Sequence, residues 1–114
     1  MDEYSKKYLL DVLNACEEVE SFFEGKKIFS DFQTDILRQR AVERNVEIMG
    51  EAINLLLKHN PTVVLPNAKA IIGTRNRVIH AYDNVTPEFL WSLVINHIPK
   101  LQLDVQQLLN PAVE

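Results

Sequence analysis

The sequence predicts an all-α protein, an antiparallel four-helix bundle, and three observations carry that prediction. Apolar residues recur at three- and four-residue steps through four long stretches. The three glycines and five prolines mostly fall between those stretches, where they act as punctuation. No segment alternates apolar and polar residues as a half-buried strand would, and no internal repeat or low-complexity run competes.

The first helix is expected from Asp2 to Glu24, with Leu9, Val12, Leu13, Cys16, Val19 and Phe23 on one apolar face. Gly25, followed by Lys26 and Lys27, closes it, because glycine tolerates a left-handed cap and lysines suit a helix C-terminus. The second is expected to start at Ser30-Asp31, both good caps, and to run to about His59. Its apolar stripe is Val42, Val46, Met49, Ile53 and Leu56. Arg40, Arg44, Glu47 and Glu51 keep the same spacing two residues out of phase, about 200° around the helix, and so face nearly away from that stripe. Gly50 lies inside this helix at a cost of about 1 kcal/mol, which points to close packing there.

Asn60-Pro61 stops the second helix, and a loop through Val63, Val64 and Leu65 leads to Pro66. Asn67 opens a third helix that ends near His80 or Tyr82, and Asp83-Asn84 makes a turn. Thr86-Pro87-Glu88 reads as cap, first-turn proline and first-turn acid for a fourth helix. Leu90, Trp91, Val94, Ile98, Leu101 and Val105 form its apolar face, and Pro99 predicts a kink near Ile95 to His97.

A chain of 114 residues fits one domain, 1–114, and 46% hydrophobic with 25% charged residues is a globular balance rather than a disordered one. A core this small gains from a dimer. The single cysteine, Cys16, excludes an internal disulfide and a zinc knuckle and suits a reducing cytoplasm. Met1 is followed by Asp2 and Glu3, the wrong charge for a secretory signal. No apolar run approaches the roughly 18 residues of a membrane span. A soluble, cytoplasmic protein with no membrane partner is expected. Twelve basic against sixteen acidic residues give a net charge of -4, so any contact with RNA must be local or shared with a second subunit.

No metal or cofactor is expected. His59, His80 and His97 lie on different elements, without a His-x-x-x-His or Glu-x-x-His pair on one helix. Cys16 belongs to an apolar stripe and reads as a small buried hydrophobe. No glycine-rich phosphate loop is present. Phe32, Phe89 and Trp91 could stack on bases, although Trp91 fits the apolar face of the fourth helix and reads as core or interface.

The third helix carries the distinctive chemistry. Ile71, Arg75, Val78, Ile79 and Tyr82 follow helical steps, so Arg75 sits within an otherwise apolar stripe. An arginine there must be paired, with Glu47 or Glu51 of the second helix as candidate partner, or must line a cleft. His80 lies five residues on, about 140° around the helix, and reads either as a C-terminal cap or as a second group in that cleft. Residue physics leaves both options open.

Arg75-Asn76-x-x-x-His80-x-Tyr82 resembles the Arg-polar-x(3–5)-His signature of the HEPN superfamily, and in particular the HepT-like toxins of HEPN/MNT toxin–antitoxin pairs. The likeness extends to Arg40-x-x-x-Arg44-Asn45, Glu47-Ile48-x-Gly50-Glu51-Ala52 and the Ile71-Ile72-Gly73 lead-in, and covers nearly the whole chain. It implies a HEPN-like bundle acting as a metal-independent endoribonuclease and as the toxin of a type VII-like pair. His80 would be general acid/base, Arg75 would stabilise the phosphate, and Asn76 would support them. Arg44, Glu47 and Glu51 would line the cleft, with Arg44 helping to hold RNA or the dimer mate. Two copies facing across a homodimer groove would double the local positive charge. The resemblance also implies that a cognate nucleotidyltransferase antitoxin transfers AMP onto Tyr82, placing a phosphate where RNA would sit. The rival reading is a non-catalytic helical subunit that binds a nucleotidyltransferase or a nucleotide, which the acidic charge suits.

Overall fold

A computed structural model of the chain describes residues 1–80 and 85–111, with Arg75, Val78, Ile79 and His80 described in their backbone only. All regular elements among these residues are helical, which bears out the predicted class: α1 (Glu3–Ser21), α2 (Phe29–Gln33), α3 (Ile36–His59), α4 (Lys69–His80), α5 (Pro87–Ser92), a π-helical turn (Leu93–His97) and α6 (Ile98–Leu109). The molecule is 19 Å through its thinnest axis, about two helix diameters, so the helices form two layers. α1 packs along α3 and α6, α4 along α3, and α5 rests on α2 and α3.

Helix α1 starts where the sequence places it, with Asp2 Oδ1 accepting from the Ser5 amide at 2.9 Å. It ends at Ser21, earlier than Glu24, because Glu24 (φ 49°) and Gly25 (φ 78°) both turn left-handed and reverse the chain. Leu9, Val12, Cys16 and Val19 are fully buried, as their spacing predicts.

The second predicted helix is two helices, which corrects its start at Ser30-Asp31. Those residues lie in the short α2, and α3 begins afresh behind Asp35, whose Oδ1 accepts from the Arg38 amide at 3.0 Å. Gln39, itself buried, donates from Nε2 to the Phe32 and Gln33 carbonyls at 2.9 and 3.0 Å and satisfies two orphan acceptors at the end of α2. The break lets Phe32 turn fully inward, where it meets Phe23 and Trp91 with ring centroids 5.8 and 5.5 Å apart. Phe32 is therefore core and not a base-stacking surface. Trp91 closes this aromatic cluster with Phe29 alongside, in keeping with its packing role. On α3, Val42, Val46, Met49, Ile53 and Leu56 are all fully buried, and Gly50 is buried beside them.

Helix α4 opens at Lys69 and not at Asn67. Asn67 instead bridges to α6, its backbone N and its Nδ2 donating to Asp104 Oδ2 at 3.2 and 2.8 Å. The last predicted helix has its expected cap, Thr86 Oγ1 accepting from the Phe89 amide at 3.1 Å. The kink expected from Pro99 takes the form of the π-helical turn. Pro99 lacks an N–H and its ring crowds the carbonyl four residues back, so the backbone widens and the Ile98 amide donates to Leu93 O. Among the described residues no helix is long and apolar enough to cross a membrane.

Candidate active site

Helix α4 positions the motif. Ala68, Ile71 and Thr74 are buried and fix one side of this helix against the core, with Thr74 Oγ1 donating to the Ala70 carbonyl at 2.7 Å. Helical register then sets the rest. Gly73, Asn76, Arg77 and His80 fall at three- and four-residue steps along the side away from Ile71, and Gly73, Asn76 and Arg77 are exposed. Arg75 falls by register on the Ile71 side, five residues and about 7.5 Å of helix before His80, which ends α4. The Arg75 and His80 side chains, and with them the expected pairing of Arg75 to Glu47 or Glu51, lie outside the described residues. So do Tyr82 and the Asp83-Asn84 turn.

Two features of this face were not read from the sequence. The Arg77 guanidinium lies over the Phe89 ring, 4.1 Å from its centroid, and ties the last turn of α4 to the first turn of α5. No spacing rule could have found that contact, because the two residues belong to different elements. Gly73 stands in open space: a Cβ built there meets nothing within 4 Å among the described residues. Its φ does not require glycine either, since the only positive-φ glycine recorded is Gly25. Among the described residues there is therefore no packing reason for a residue that costs a helix about 1 kcal/mol. What Gly73 leaves bare is backbone, on the same face as Asn76 and His80.

The polar stripe of α3 faces away from the apolar one as predicted, with Arg40, Arg44 and Glu51 exposed and Glu47 half-buried, and its arginines pair locally. Arg40 Nη1 lies 2.8 Å from Glu43 Oε1, and Arg44 Nη1 lies 3.2 Å from Glu47 Oε2. Glu51 lines a groove of about 360 Å³ between α1 and α3, together with Lys7, Tyr8, Asp11 and the buried amide of Asn45. The Asn45 Nδ2 is tied to the Ala41 carbonyl at 3.0 Å.

Cys16 is fully buried, and that burial, with Glu20 and Glu17 nearby, pushes its thiol up to about 12. A thiol that resists ionisation is no nucleophile, so its role is packing. At the far end of the bundle His59 pairs with Asp2 and is flanked by the Tyr4 and Tyr8 rings, centroids 5.4 and 6.4 Å away. The Asp2 carboxyl is held well below the usual carboxylate range. The neighbouring Ser5 side chain contributes most, although its hydroxyl makes no well-formed hydrogen bond; His59 and the Ser5 amide follow.

The model of the HepT-like family, described as ribonuclease HepT-like, matches residues 12–108 and so encloses the whole of α4. A protein of Caldanaerobacter subterraneus subsp. tengcongensis, named as a candidate RNase, is 32% identical over 105 residues, 91% of this chain and 93% of its own length. One from Thermococcus cleftensis, named as a candidate ribonuclease HepT, is 34% identical over 106 residues, 90% of this chain and 93% of its own. A candidate RNase of Methanocaldococcus jannaschii is 27% identical over 108 residues, 91% of this chain and 86% of its own. No solved structure matches.

Proposed function

The chain belongs to the HepT-like ribonuclease family, and from that premise we propose that it is a metal-independent endoribonuclease whose chemistry resides at Arg75 and His80. The observation that carries this reading is the family match running through an α4 whose far side presents Asn76 and Arg77 to solvent beside the His80 position.

A ribose 2'-hydroxyl attacks the adjacent phosphorus, the P–O5' bond breaks, and the products are a 2',3'-cyclic phosphate and a 5'-hydroxyl. His80 takes the 2' proton or returns one to the leaving 5'-oxygen, a task suited to a side chain that titrates near neutrality. Arg75 stabilises the charge that builds on the phosphoryl oxygens, and Asn76 orients the histidine or the phosphate. Arg77 adds positive charge on the same helix while Phe89 holds its head. The bare backbone at Gly73 lets a phosphate approach α4 closely.

The biological role we propose is that of a toxin working as a homodimer, with Arg44, Glu47 and Glu51 bordering the cleft. A cognate nucleotidyltransferase neutralises it by moving AMP from ATP onto the Tyr82 hydroxyl with release of pyrophosphate, and the added phosphate then competes with RNA for the arginines.

The test is cleavage of a mixed RNA pool in excess chelator, with His80→Ala alongside and both proteins checked for helicity. Cleavage by wild type alone, leaving cyclic-phosphate ends, is the expected result. Equal cleavage by the variant removes His80 from the mechanism. No cleavage by folded protein free of nucleotide on Tyr82 favours a binding subunit, for which the net charge of -4 is better suited.

A further inference from the structure

Helix α4 differs in charge from the chain that carries it. Its 12 residues include Lys69, Arg75 and Arg77 and no aspartate or glutamate, in a protein of net charge -4. Lys69 opens the helix, and steps of four, three and four residues lay it in one line with Gly73, Asn76 and His80. Lys69, Gly73 and Asn76 are exposed, on the side away from the buried Ala68, Ile71 and Thr74. From the His80 position to Lys69 the line measures about 16 Å of helix.

Local structure gives Lys69 no task. It makes no hydrogen bond or ion pair among the described residues. Its charge also opposes the helix dipole, which favours an acid in the first turn. Helices α1 and α5 carry such an acid, Glu3 and Glu88, and α4 carries none.

Beyond Lys69 the surface opens into a recess of about 510 Å³ where the start of α4 meets the π-helical turn. Pro66, Asn67, Lys69, Ala70 and His97 line it, and its size is that of sites which hold small ligands. Lys69 and His97 bring donors to it from two elements, and Lys100 stands exposed three residues beyond His97. Asp104 is the carboxylate bonded to Asn67, and its Oδ2 already accepts two hydrogen bonds from that residue. Against Lys69 and Lys100 it leaves these surroundings positive.

We propose that the RNA strand, beyond the phosphate that is cut, runs along this line toward the start of α4, with Lys69 and His97 holding a further phosphate at the recess. The charge of α4 suits an anionic backbone, and the bare Gly73 lets that backbone lie close to the helix. One helix face serves one backbone, so the strand is single, whereas duplex RNA is gripped across successive grooves. Contacts of this kind position the strand and read no sequence. The inference rests on the proposed ribonuclease site and adds Lys69 and His97 to it as positioning residues.

The experiment follows binding and cleavage of a single-stranded RNA of about a dozen nucleotides in excess chelator. Wild type is compared with Lys69→Glu, Lys69→Arg and, as a control, Lys6→Glu on α1. Lys69→Glu should stay helical, because the dipole favours the new charge. Its KM should rise about tenfold with kcat held, the signature of binding lost equally from ground and transition states. The dependence of log affinity on log salt should become shallower by about 0.7, the share of one phosphate on a single strand. Lys69→Arg should keep both values, and so should Lys6→Glu, although it changes the net charge as much as Lys69→Glu does. The same RNA annealed to its complement should be cut at least about tenfold more slowly. Equal cutting of the duplex would overturn the single-stranded assignment. A Lys69→Glu protein with wild-type KM and salt slope would overturn the track and leave the ribonuclease standing. An equal change in Lys6→Glu would reduce the effect to net charge and overturn it as well. A folded wild type that neither binds nor cleaves RNA would remove the ribonuclease reading itself, and the track with it.

Discussion

The two faces of α3 use one helix for opposite purposes. Its inward stripe, from Val42 to Leu56, is fully buried and joins a core shared with α1, α4 and α6. Its outward stripe, from Leu37 to Leu55, is apolar and exposed at the ends and mostly charged between them, with only Ile48 half-buried against the core. Burial rewards the first with about 1.5–3 kcal/mol for each large side chain, and nothing comparable acts on the second within one chain. The inward face is thus explained by folding, whereas the outward face and the open side of α4 are largely left to solvent by it.

Truncation on the inward face should have the largest effect. Ile53→Ala removes a fully buried side chain in the C-terminal half of α3 and should cost about 2–5 kcal/mol in denaturant unfolding, through lost transfer energy and the cavity left behind. A loss below ~1 kcal/mol would mean that the α3 core collapses freely around the gap, and the contrast between the faces would fail.

Gly73→Ala sharpens the contrast from the other side. With open space at its Cβ among the described residues, the variant should gain up to about 1 kcal/mol in stability. RNA cleavage should fall at the same time, because a methyl group then stands where a phosphate would approach. A variant that is both more stable and fully active would show that this glycine serves neither purpose.

The smallest effect should come from Asp2→Asn, which keeps a capping residue and removes the charge facing His59. A carboxyl depressed by folding stabilises fully above its unfolded value and loses that stabilisation as pH falls below about 4. Wild type should therefore have the higher Tm at neutral pH, and the gap should close as the pH is lowered toward 2. A gap that stays constant with pH would show that the charge contributes nothing.

Much of the core was legible because period alone decides it. Every residue of the predicted α3 stripe is fully buried, and of the α1 set only Leu13 is half-buried. Caps were legible where cap and helix adjoin, as at Thr86. The break before α3 was not, since it depends on Gln39 reaching back to the carbonyls of α2 and on Phe32 meeting Trp91, contacts between residues far apart in the chain. At the site, the sequence supplied the residue types and the register of α4. It could not supply the Arg77–Phe89 contact or the open space at Gly73, both of which follow from how α4 and α5 are set in the fold.

The burial of Cys16 has a practical consequence. It is the only thiol in the chain, sits in the shared core and ionises only far above neutral pH. A thiol-reactive dye can reach it only when α1 parts from its neighbours, so the labelling rate of the unmodified protein counts opening events. That rate, followed with and without RNA or a partner protein, would report how firmly each ligand holds the bundle shut, with no engineered probe to disturb it.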